Sequence, residues 1–204
     1  MKGGFHGRLC MRKMLRSLLV ALGVACALGR FAYAQETTLT LDPEKTAVSF
    51  TLEATWHTVH GRFRLKSGVV RFDPATGAAS GTVVVDATSG ETGNTRRDRN
   101  MHKDVLQSER HPEITFTPKR ITGSFVAQGR SSVSVEGVLR LCGSDHSITL
   151  PFEVQTGAGE LRATTRFTVP YVAWGLEDPS TFLLHVADKV ELSVVAAGRL
   201  AAQH

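Results

Sequence analysis

From residue 38 to residue 196 the chain alternates apolar and polar positions with a period of two. That is the pattern of strands that turn one face to an apolar interior and the other to water. Val48/Phe50/Leu52, Phe63/Leu65, Val83/Val85 and Ile114/Phe116 mark the apolar faces in the first half. Val133/Val135, Ile148/Leu150/Phe152, Phe182/Leu184/Val186 and Val190/Leu192/Val194 continue them in the second. Turn residues separate the runs: Asp73-Pro74-Ala75-Thr76-Gly77, Gly143-Ser144-Asp145 and Thr156-Gly157-Ala158-Gly159-Glu160 read as connections between neighbouring strands. About ten strands with short connections predict an all-β antiparallel sandwich or barrel. A barrel removes the exposed sheet edges that long apolar-faced strands would otherwise present, which favours it. Period-two alternation describes a packed core and the wall of an apolar pocket equally well, so a hollow and a filled barrel both remain open.

One stretch departs from the period. Thr95 to Ser108 (TRRDRNMHKDVLQS) is polar, lacks Gly and Pro, and places Met101 and Val105 four apart. Thr95 with Asp98 three residues on resembles a capping box, so a short helix with a narrow apolar stripe is expected here. Such a helix is marginal alone and needs the sheet to pack on. It reads either as a lid over one end of the barrel or as a long structured connection. Arg96, Arg97, Asp98 and Arg99 at its start read as a solvated helix end, or as a tie between helix and barrel that could meet a polar head group.

Charge and composition place the chain in a compartment. Of 24 Lys and Arg in 204 residues, six lie in residues 1–34, where there is no acid; the rest of the chain holds 18 basic against 19 acidic residues, a net of −1. The body therefore carries no basic footprint for nucleic acid. Residues 1–16 are cationic, Leu18 to Leu28 are almost wholly apolar, and Ala32-Tyr33-Ala34 sets small residues before Gln35. This is the layout of a secretory signal, residues 1–34, with cleavage after Ala34. The apolar run is too short to span a bilayer, which takes about 20 residues. A rival reading makes Gly23-Val24-Ala25-Cys26 a loose lipoprotein box with Cys26 lipidated. The expected location is the periplasm or the exterior. Removal of the leader takes two of three cysteines and leaves Cys142. The folded domain, residues 35–204, is then held by its core and not by disulfides.

Catalytic and cofactor patterns do not assemble. His57-Thr58-Val59-His60 looks like a ligand pair, but residues three apart on a strand face opposite ways. His102 and His111 add no metal-like spacing. Ser144-Asp145-His146 contains the residue types of a hydrolase triad, yet adjacent residues cannot reach triad geometry with one another. Nucleophile-elbow, zinc-protease, phosphate-loop and dinucleotide motifs are missing, so no cofactor is expected. An enzyme built on His57, His60 or His102 with Asp98 stays as the rival class.

Taken in order, several elements resemble the YceI-like family of exported lipid- or polyisoprenoid-binding domains. They are Leu41-Asp42-Pro43 with Val48-Ser49-Phe50, Val59-His60-Gly61-Arg62-Phe63, and Gly68-Val69-Val70-Arg71-Phe72-Asp73. Thr92-Gly93-Asn94 with Arg97-Asp98, and Pro112-Glu113-Ile114-Thr115-Phe116, follow. Val135-Glu136-Gly137-Val138-Leu139 with Gly143 and Ile148-Thr149-Leu150-Pro151, then Trp174-Gly175-Leu176 and Val190-Glu191-Leu192, complete the series over about residues 38–197. Two places depart from the family: Ala54 stands where a His is common, and Val169 to Trp174 is more aromatic than usual. The resemblance implies an extended, lipocalin-like antiparallel β-barrel with a lid helix, holding a long prenyl or acyl chain in an apolar interior. Together with the alternation it makes Phe50, Leu52, Phe63, Leu65, Ile114, Phe116, Ile148 and Leu150 expected lining residues. Trp56, Tyr171 and Trp174 are expected at the mouth, where rings with a polar atom suit an apolar–wet boundary. The implied partner is a long-chain lipid or isoprenoid, with a passing contact to a membrane; the implied protein is not an enzyme.

Overall fold

The computed structural model describes residues 36–181 and 185–202. The leader, its cleavage site and Cys26, and the Phe182/Leu184 part of an expected strand, lie outside the described residues.

Nine strands form one antiparallel sheet among these residues. They are β1 (Thr37–Leu41), β2 (Ala47–Ala54), β3 (His57–Phe72), β4 (Ala79–Glu91), β5 (Glu113–Gly123), β6 (Gly129–Leu141), β7 (Ser144–Gly157), β8 (Glu160–Val169) and β9 (Val190–Ala202). A helix, α1 (Thr95–Asn100), runs on into a π-helical turn, Met101–Val105, between β4 and β5. Each strand pairs with its sequence neighbour from β2 through β9, including β8 with β9 across their long connection. The sheet closes where β2 meets β9, with Val48 opposite Val194 and Phe50 opposite Leu192. β1 and β2 share one position in the wall, since both lie between β3 and β9. β1 covers the lower part of β3 (Thr38 opposite Arg71) and β2 the upper part (Leu52 opposite Val59). The result is an eight-position closed antiparallel barrel with one short helix, as the sequence predicts. Closure leaves no strand at the end of the sheet order among the described residues, although β7 and β8 pair along only part of their length.

Two connections are two-residue hairpins with left-handed backbone at both positions: Cys142-Gly143 (φ 49° and 81°) and Ala158-Gly159 (φ 52° and 77°). This twist matches that of the flanking strands, which is why such turns dominate tight hairpins. The first lies one residue earlier than the expected Gly143-Ser144-Asp145, because Ser144 already pairs with Leu141. Val186 makes an isolated bridge to Ala54 and does not begin a strand. The helix cap is also displaced by one. Asn94, not Thr95, is the N-cap, its side chain accepting from the amides of Arg96 and Arg97.

Inward side chains sort into two clusters. Below, Leu41, Leu65, Val133, Val135, Val154, Leu161, Ala163 and Ala196 fill the barrel. Above, Leu106, Leu139, Leu141, Val169, Tyr171 and Leu176 pack the helical turn and the connection after β8 against the wall. The β7–β8 ladder spans only Glu153–Gly157 against Glu160–Thr164, although both strands continue upward. The connection after β8 folds back at this level, and the Trp174 ring stacks on His146 of β7, centroids 3.9 Å apart and 4° from parallel.

Candidate functional site: an apolar cavity beneath a polar rim

Above the filled floor the barrel encloses a cavity of about 830 Å³. That lies within the range of ~300–1,000 Å³ common to small-molecule sites. Alternate residues of each strand build its wall. β2 and β3 supply Val48, Phe50, Leu52, Ala54, Val59, Phe63 and Leu65. β4 to β7 supply Val83, Val85, Ile114, Phe116, Leu139, Leu141, Leu150 and Phe152. β8 and β9 add Thr165, Phe167, Val169, Val190, Leu192, Val194 and Ala196. Met101, Val105 and Leu106 roof it from the helical turn.

Of the residues expected to line the interior, Phe50, Leu52, Phe63, Leu65, Ile114, Phe116 and Leu150 face the cavity. Ile148 does not; it is taken up by the upper packing cluster that contains Trp174. Tyr171 reaches the cavity, whereas Trp174 caps His146 instead, and Trp56 stands clear of it with 81% of its surface exposed. The geometry of Trp56 follows from its place in the tight β2–β3 connection, whose neighbour Thr55 is bonded to His185. Phe167, Val169 and Leu192 line the site without having been expected to. In β8 the alternation was disguised by Thr165, which occupies an inward place in the run Thr165/Phe167/Val169.

Among the described residues, charge enters from the segments at the mouth. Arg96, Arg97 and Asp104 come from the helical segment, and Glu177 and Asp178 from the connection after β8. Asp98 accepts from the amide and hydroxyl of Thr92, while Arg97 donates through Nε to Thr92 Oγ1 (2.7 Å) and through Nη2 to Thr92 O (3.1 Å). Both charged groups therefore clamp α1 to the end of β4, which is the tie the sequence suggested. Hydrogen bonds from the Ser180 side chain and backbone hold Asp178 below the usual carboxylate range. Tyr171 Oη donates to Ala187 O at 2.8 Å. Burial, aided by the negative charges of Asp178 and Asp188, pushes its phenol up to about 12.

The histidines go to separate places. His57 lines the cavity mouth, His60 bonds Thr51 Oγ1 through Nδ1 (3.2 Å), and His102 spans Gly90 O (2.8 Å) and Ser108 Oγ (3.0 Å). Among the described residues no three His, Cys, Asp or Glu side chains come together as a metal-ligand group. Cys142 donates to Leu106 O at 3.2 Å, and burial raises its thiol pKa, which keeps it in the unreactive form.

The sequence model of the YceI-like domain matches residues 39–197. No curated protein sequence matches the chain. Among solved structures, the chain is similar to BcnA of Burkholderia cenocepacia at 20% identity and TM-score 0.63, covering 77% of this chain and 98% of that one. It is similar to a polyisoprenoid binding domain from Saccharophagus degradans, implicated in plant cell wall breakdown, at 15% identity and TM-score 0.61, covering 80% and 98%. A YCEI protein of Campylobacter jejuni follows at 21% identity and TM-score 0.54, covering 72% and 85%. At these identities the likeness establishes a shared fold.

Proposed function

The chain belongs to the YceI-like domain family, and from that membership we propose that it is an exported, non-enzymatic carrier that holds a long-chain isoprenoid or similar lipid inside the barrel. The observation that carries this reading is the cavity itself: about 830 Å³, apolar along the strands, with charge only at the mouth. A chain of CH₂ groups finds there what water denies it. Each buried CH₂ contributes ~0.8 kcal/mol, so about ten carbons supply ~8 kcal/mol before the ordering costs of binding are met. The fold shared with a polyisoprenoid binding domain supports the same class of ligand. The scattered histidines, each with its own partner or position, favour a binding role over acid–base or metal chemistry. Export rests on the composition of residues 1–34, and exposed Trp56, at the mouth end of the barrel, suits a passing contact with a membrane surface.

Native mass spectrometry of gently purified protein, with organic extraction of what it carries, tests the proposal. A bound lipid that extraction recovers is the expected result; an apo mass with nothing extractable, in protein that also takes up no added isoprenoid, would overturn it. The intact mass reads export at the same time, an N-terminus at Gln35 excluding a lipid on Cys26.

A further inference from the structure

One hydroxyl in the cavity wall has no counterpart among the described residues. Thr165 is 3% exposed, lines the cavity, and its Oγ1 has no hydrogen-bond partner among the described residues. Its level in the wall is fixed by register: Thr165 lies opposite Val194, which lies opposite Val48. Two residues lower, Ala163 pairs with Ala196 in the packed floor. Four residues higher, Val169 pairs with Val190 at the upper end of both strands. At ~3.3 Å per residue, Thr165 sits about 13 Å below that upper end. Its register partners Val194 and Val48 are apolar, and Val83, Val85, Leu150 and Phe152 add further apolar wall from the other strands. The other deep hydroxyl, Thr46, is already satisfied, donating to Ala197 O and accepting from Ala197 N.

A buried hydroxyl left unpaired costs stability, and valine has the same shape without that cost. A lone hydroxyl is also too few contacts to hold an ordered water, which takes two to four. From this we infer that Thr165 is the deep polar subsite of the cavity and that the ligand brings a neutral oxygen, as a hydroxyl, carbonyl or ether, to it. This rests on the lipid-carrier reading and adds to it an orientation: the oxygenated end is seated low in the barrel and the apolar chain runs up toward the mouth. A charged end is excluded from that depth. The Arg, Asp and Glu side chains of the lining all belong to the helical segment and the connection after β8, so a phosphate or carboxylate beside Thr165 would be buried without a counter-charge.

The test compares three probes on delipidated full-length protein: an isoprenoid alcohol, the hydrocarbon of the same skeleton, and the phosphate monoester of that alcohol. Displacement of an apolar fluorophore reads affinity. The wild type is expected to prefer the alcohol over the hydrocarbon by about three- to tenfold, the worth of one buried neutral hydrogen bond, and to bind the phosphate more weakly than the alcohol. In Thr165→Val the preference for the alcohol is lost or reversed, with hydrocarbon affinity and folding retained. Thr165→Ser keeps the preference, and Thr165→Ala, a second hydroxyl-free variant, loses it. An unchanged preference in Thr165→Val and Thr165→Ala, or a phosphate bound more tightly than the alcohol, overturns the subsite while leaving the carrier intact. If the wild type binds neither alcohol nor hydrocarbon, the carrier reading itself fails.

Discussion

The ring of Phe50 lies over Gly61, its cross-strand partner on β3, so closely that a Cβ on Gly61 would overlap the ring. The same relationship recurs around the cavity. Phe63 covers Gly90, and Phe116 covers Gly137. Each glycine leaves an aromatic ring of the cavity lining room against the wall that a Cβ would otherwise take.

Gly61→Ala is therefore expected to destabilise the protein by about 1–3 kcal/mol through overpacking, and to push the Phe50 ring into the cavity. Lipid uptake should fall with it. Adding Phe50→Leu removes the ring and should restore part of the loss, though not all, because Glu91 O also stands 2.8 Å from the introduced carbon. A double-mutant cycle in urea reads the coupling, and strictly additive effects would refute the contact.

The two tryptophans separate by environment. Trp174 is stacked on His146 and packed in the upper cluster, where the β7–β8 ladder has stopped. Trp174→Ala should cost about 2–4 kcal/mol and loosen the connection over the cavity mouth. Trp56 is exposed and should tolerate Ala within about 0.5 kcal/mol. Urea denaturation of both variants checks the contrast; equal costs would show that Trp174 closes nothing.

Tyr171 gives a pH dependence with a definite sign. Its phenol is raised to about 12 in the fold, against ~10 in an unfolded chain. Between those values the unfolded state has released its proton and the folded state has not, so stability is fully present below pH ~10 and falls as pH rises toward 12. Tyr171→Phe should abolish that alkaline loss while weakening the fold at neutral pH by about 1 kcal/mol, since Ala187 O loses its donor. Chain lacking residues 1–34 has no other tyrosine, so tyrosinate absorbance reports this group alone. A midpoint near 10 in the folded protein would contradict the buried phenol.

The closed barrel was legible because most strands carry their inward face as Val, Ile, Leu or Phe at alternate positions; Val48/Phe50/Leu52 names its wall residues outright. Sequence could not say where filling stops and hollow begins. Val133 and Leu139 have the same alternation on β6, yet one packs the floor and the other lines the cavity. That difference depends on what faces them across the barrel, a non-local matter. Alternation points Ile148, and ring chemistry Trp174, to the site, and neither rule sees the connection after β8 folding back onto β7. The cap shifted to Asn94 for a local reason: Asp98 was drawn to Thr92 and so was free for no capping box. Alternation does not reveal Thr165, because a polar residue at an inward place reads as an outward one.

The hairpin turns offer a gain in stability. Ala158 and Cys142 both hold the left-handed backbone, at φ 52° and 49°, which costs an L-residue with a Cβ roughly 1–2 kcal/mol. Asn tolerates this conformation and, before Gly, favours the turn both hairpins adopt. Ala158→Asn should stabilise the protein by about 0.5–1 kcal/mol and raise Tm by roughly 1–4 °C, the shift expected for a domain of this size. Cys142→Asn relieves the same strain but gives up the thiol's bond to Leu106 O, so its gain should be smaller. Thermal unfolding of the two variants side by side tests this. If Ala158→Asn is neutral or destabilising, backbone strain at that turn is not what limits stability there.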